Sequence, residues 1–165
     1  MKKLITALAF ITVFIMQGQA FKGNGDFKGQ IGTNLQDGGT GIYLSTDFGV
    51  GENISLGLTG NYLLSVRANV LGEIPEFKDR IDLKARFNAN LGNVFNMGSK
   101  MDLYPGIDLG LKNFGGHVGF RYFFTDGFGV FSEAGFPIAK YDNTTSGFDH
   151  LNNQFTLNIG ASFNL

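Results

Sequence analysis

A histidine, a serine and a carboxylate are the raw material of acyl hydrolysis, and His117, Ser132 and Glu133 offer that set. Ser132 and Glu133 are chain neighbours, so in an extended strand they point to opposite faces and cannot both join His117. An interior, hydrogen-bonded His117 is therefore the better reading than a catalytic one. The second candidate group is charged: Lys28, Asp47, Asp82, Lys84, Arg86, Asp102, Asp108, Arg121 and Glu133, four cations against five anions. A charge set facing an open pore would act as a selectivity lining. Balanced signs fit a compensating ion network instead, because buried charges must be paired. Neither a G-x-G-x-x-G before a helix nor a P-loop is present, so no cofactor is expected. Asp142, Asn143, Thr144, Thr145, Asp149 and His150 match no calcium-loop spacing and read as a solvated loop, so no metal is expected.

The elements that position these residues alternate with period two. From Phe155 to Leu165 the odd positions are Phe155, Leu157, Ile159, Ala161, Phe163 and Leu165, and the even positions are Thr, Asn, Gly, Ser and Asn. From Ile81 to Leu91 the apolar set Ile81, Leu83, Ala85, Phe87, Ala89, Leu91 interleaves with Asp82, Lys84, Arg86, Asn88, Asn90. A strand places each set on one face, whereas a helix would scatter both. The same pattern predicts strands over 42–50, 54–64 and 101–111, with weaker ones at 26–35, 116–124 and 129–139. Tight-turn chemistry stands at Gln36–Gly39, Val50–Asn53 and Thr125–Gly127. The segments 65–79 and 140–151 are long and polar.

Composition decides which face meets what. The 165 residues include 25 Gly and 18 Phe, and only 16% are charged, below the roughly 25% of soluble domains. Zero Cys excludes disulfide scaffolds and thiol chemistry. With 13 Lys+Arg against 14 Asp+Glu and no basic run, nucleic acid is not an expected partner. The apolar stripes run close to the ~9–11 residues of a tilted membrane-spanning strand. Their polar faces hold Gly, Asn and Ser with isolated charges, unlike a water-facing surface rich in Lys and Glu. Phe27, Phe48, Phe124, Phe128 and Phe163 fall near strand ends, where an interfacial girdle would lie. The apolar face is thus expected to meet lipid and the polar face to line a closed interior, since open sheet edges are unsatisfied in a membrane. On this reading an arginine at inward Asn88 should be tolerated better than one at outward Leu83.

Residues 1–20 read as a cleaved signal peptide. Lys2-Lys3 is followed by an apolar run from Leu4 to Met16, too short to span a membrane, and then by the small residues Gly18 and Ala20. The barrel is expected over 21–165. Its size allows about eight strands, and an eight-stranded bore is one that side chains can fill.

The run Phe-Arg-Tyr-Phe-Phe-Thr-Asp-Gly-Phe-Gly-Val-Phe-Ser-Glu-Ala-Gly-Phe at 120–136 resembles a strand–turn–strand signature of small outer-membrane β-barrel proteins, including the opacity-protein and porin-family relatives of Gram-negative bacteria. The closing Phe155, Leu157, Ile159, Phe163, Leu165 pattern resembles the C-terminal signal read by the barrel-assembly machinery, with Leu165 where Phe is more usual. The expected molecule is an all-β chain: a single closed, antiparallel, up-and-down transmembrane β-barrel in the cell outer membrane. It is expected to be a non-enzymatic monomer among outer-membrane lipids, with a plugged interior and loops 65–79 and 140–151 presented to an unknown extracellular partner. The alternatives are a small-solute or apolar-ligand channel, a soluble periplasmic lipid-binding barrel and a lipid A-modifying enzyme.

Overall fold

The computed structural model describes residues 19–67, 73–141 and 148–165. Most of the expected signal peptide, and loop residues Gly72, Asp142, Asn143, Thr144, Thr145 and Ser146, lie outside the described residues. Eight strands follow one another in chain order: β1 (Phe27–Gln36), β2 (Gly39–Gly49), β3 (Ile54–Val66), β4 (Ile81–Ala89), β5 (Met101–Gly110), β6 (Asn113–Phe123), β7 (Phe128–Lys140) and β8 (Thr156–Asn164). Each pairs antiparallel with the next, and β8 returns to β1, closing the sheet into an up-and-down barrel. A four-residue helix, α1 (Phe77–Arg80), precedes β4.

Alternation decides the two faces. Ile31, Leu44, Leu58, Leu83, Ile107, Leu109, Val118 and Ile159 are exposed on the outside, while Lys28, Asp47, Asn88, Asp102, His117 and Arg121 are buried inside. This is the inside-out distribution of a transmembrane barrel. The inner wall is more aromatic than the polar reading of its positions predicted: Tyr43, Tyr104, Phe123 and Phe131 all point inward and are at most 2% exposed. A narrow bore must be filled, and rings fill it. Tyr104 faces Gly119, and His117 faces Gly106, across the β5–β6 ladder; a Cβ on either glycine would collide with the opposing ring.

Both ends of the barrel domain open on one mouth. There Phe27 and Phe48 stand 6.5 Å apart, Phe124 and Phe128 6.2 Å, and Phe128 and Phe163 5.6 Å, between ring centroids, so the expected girdle forms. The opposite mouth carries the two-residue turn Asp37-Gly38, with Gly38 at φ +73°, and the described parts of both long segments. An eleven-residue connection at 90–100, on the mouth of the chain ends, has no counterpart in the sequence reading. The β4–β5 ladder is the shortest, five register pairs against eight to eleven in the others. It stops at Gly106, beside Pro105, which has no N–H to continue it.

Candidate functional site: the lumen

The centre of the bore is a chain of alternating charge. Asp102 (β5) accepts from Arg121 Nε (β6) at 3.1 Å, and Arg121 Nη1 reaches Asp47 Oδ2 (β2) at 3.4 Å. The other Asp47 oxygen lies 3.5 Å from Arg86 Nε (β4), and Arg86 Nη2 donates to Glu133 Oε2 (β7) at 2.6 Å. Five charged groups on five strands thus bridge the lumen in the order minus, plus, minus, plus, minus. The tyrosines complete it. Arg86 Nη1 donates to the Tyr43 hydroxyl at 2.6 Å, which donates to Glu133 Oε1 at 2.9 Å. The Tyr104 ring lies under the Arg121 guanidinium at 4.2 Å, and its hydroxyl accepts from Gln30 at 3.2 Å.

Asn88 is the junction. Its amide nitrogen donates to Asp47 at 2.9 Å and to Ser55 at 3.0 Å, and its oxygen accepts from Arg86 Nε at 3.1 Å. The same oxygen lies 2.8 Å from His117 Nε2, while His117 Nδ1 faces Asp108 at 3.0 Å. This corrects the sequence expectation for Asn88. It is not a roomy inward position but a fully buried one with four partners, so a larger cation there would break the network.

All nine charged residues singled out in the sequence lie on the inner wall, though not as one cluster. Lys84 pairs with Asp82 at 3.6 Å, and Lys28 with Asp26 at 2.8 Å. Asp26, Tyr43 and Tyr104 are among the members that sequence reasoning missed, and Asn88, placed inward by the sequence, was not read as part of the network. Tyr43 and Tyr104 carried a signal, since each is a large ring at an inward position of a strand whose other inward residues are small or charged. Ser132 is exposed on the outside and Glu133 is buried inside, so His117 has no serine partner.

At each mouth, described chain that is not strand packs partly into the bore. At the mouth of the chain ends Phe21 is buried and Lys28 Nζ is bonded to Asn164 Oδ1 at 2.5 Å, and Ala20, the last residue of the expected leader, is buried beside them with its amide donating to Ser99 O at 2.6 Å. At the other, Leu151 is fully buried, Asn113 holds the Asn152 carbonyl at 3.0 Å, and Gln36 Nε2 holds Asn152 Oδ1 at 3.0 Å. Lys112 donates to Asp79 O at 2.7 Å, and burial holds its ammonium below the usual lysine range against the pull of Asp82, Asp79 and Asp149. The end of segment 140–151 is therefore a stopper rather than solvated loop.

Among solved structures, a de novo designed transmembrane β-barrel aligns with a TM-score of 0.58 at 10% identity, covering 91% of this chain and 100% of its own. The N-terminal β-barrel domain of Pseudomonas aeruginosa OprF aligns with a TM-score of 0.57 at 10% identity, covering 87% of this chain and 100% of its own. These likenesses are of fold. No curated protein matches. The model of a family of unknown function, DUF6646, matches residues 10–165, and the chain belongs to that family.

Proposed function

We propose that this chain is a non-enzymatic barrel of a Gram-negative outer membrane, closed to solutes by its own interior, with a structural or surface-interaction role. The observation that carries the reading is the Asp102–Arg121–Asp47–Arg86–Glu133 chain, which crosses the bore from strand to strand. Desolvating any one of these charges alone would cost several kcal/mol, so each holds its neighbours in place. The exposed apolar belt supports a lipid environment, and the fold shared with designed and natural membrane barrels agrees with it. A leader over 1–20 would supply export, and the outward Phe155, Ile159, Phe163 and Leu165 would be read by the assembly machinery. The Phe120–Phe136 signature supports kinship with the opacity-protein group. The described parts of segments 65–79 and 140–151 share the mouth opposite the chain ends, which supports reading that mouth as the side turned to an unknown extracellular partner.

Purified protein in a planar bilayer tests the closure. The wild type is expected to show no steady conductance in salt, and Arg86→Ala intermittent current. A stable, ion-selective wild-type conductance would overturn the plug and establish a small-solute pore.

A further inference from the structure

A groove of about 460 Å³ runs across the outer wall, over β8, β1, β2, β3 and β4. Its walls are Ile31, Leu44, Leu58 and Phe163, all outward side chains. Its ends are filled from the sides: Leu165 lies over Gly29, within 3.0 Å of where a Cβ would sit, and Leu83 lies over Gly60 at 3.1 Å. Between them lies the shorter side chain of Thr46, paired with Gly29 on one side and Leu58 on the other.

We propose that this groove seats one acyl chain of a membrane lipid as a resident, longer held than the chains that surround the rest of the belt. The inference rests on the transmembrane reading. Three features select the occupant. The groove is continuous with the apolar belt, since Ile31, Leu44, Leu58 and Leu83 are all about half exposed or more. Between Gly29 on β1 and Gly60 on β3 its open stretch is two strand spacings, about 10 Å, a length that part of an acyl chain from one leaflet of a ~30 Å core can fill. It presents no charged side chain to hold a headgroup, so the hydrocarbon is what it recognises. A second copy of the chain is the weaker occupant, because apolar surface gains nothing by leaving lipid for protein.

The test uses the full barrel reconstituted in phosphatidylcholine vesicles with a chain-labelled spin probe. Thr46→Phe places a ring in the middle of the groove, and Val118→Phe places the same ring on the far wall. The motion-restricted lipid fraction is expected to fall by about one chain per barrel in Thr46→Phe and to stay at the wild-type level in Val118→Phe. Should Thr46→Phe fail the heat-modified gel-mobility check for a folded barrel, Thr46→Leu replaces it with the same expectation. An unchanged restricted fraction in the folded variant overturns the proposal, as does a wild-type cross-linked dimer that Thr46→Phe abolishes. Failure of the wild type to float with vesicles is a different result, and it marks failure of the transmembrane reading itself.

Discussion

Arg86 touches Glu133, Tyr43, Asn88 and Asp47, and it is buried at 3% exposure. Arg86→Ala leaves Glu133 and Asp47 buried beside a cavity, a loss of about 3–5 kcal/mol in folded stability. Urea unfolding followed by circular dichroism reads it directly. A change within ~0.5 kcal/mol would mean that the carboxylates find other partners, and the network would lose its structural meaning. At this scale the sequence showed which side chains face inward but not whom they meet. Asp47 and Arg121 lie on strands that are not neighbours, and the 3.4 Å between them depends on how the closed barrel staggers its strands. Asp108 shows the same limit: it counted as one more anion for the cations, yet its partner is His117.

The strands themselves were legible because each alternates for nine residues or more, long enough to separate period two from 3.6. Connections were legible where local chemistry dictates them, as at Asp37-Gly38. They were not where the chain folds back on the barrel, as at 90–100 and 148–155, since burial of Leu151 depends on a mouth that eight distant segments build. The facing of the elements has its own test at Leu83, which is 51% exposed. On a soluble surface Leu83→Arg would change stability by less than ~0.5 kcal/mol. Facing the middle of a bilayer it costs up to ~2–4 kcal/mol. Refolding into vesicles from urea distinguishes the two, with Leu83→Ala as the neutral comparison.

The whole barrel has an orientation. An even number of strands brings the chain back to its starting side, so the turn holding Glu52 shares a mouth with the start of β1 and the end of β8, and the described parts of the long segments share the other. In intact cells, epitope tags near Gly72 and Ser146 are expected to bind antibody, and one at Glu52 is expected to stay hidden. Labelling at Glu52 alone would invert the molecule in its membrane.

Ala20 is 1% exposed, and its amide is tied to the Ser99 carbonyl inside the finished mouth. A peptidase needs extended, accessible chain on both sides of the bond it cuts, and the folded barrel buries Ala20 and Phe21, the two residues that flank this one. If the expected leader ends at Ala20, its removal therefore has to come first in time, and a copy that folds before meeting the peptidase would keep it.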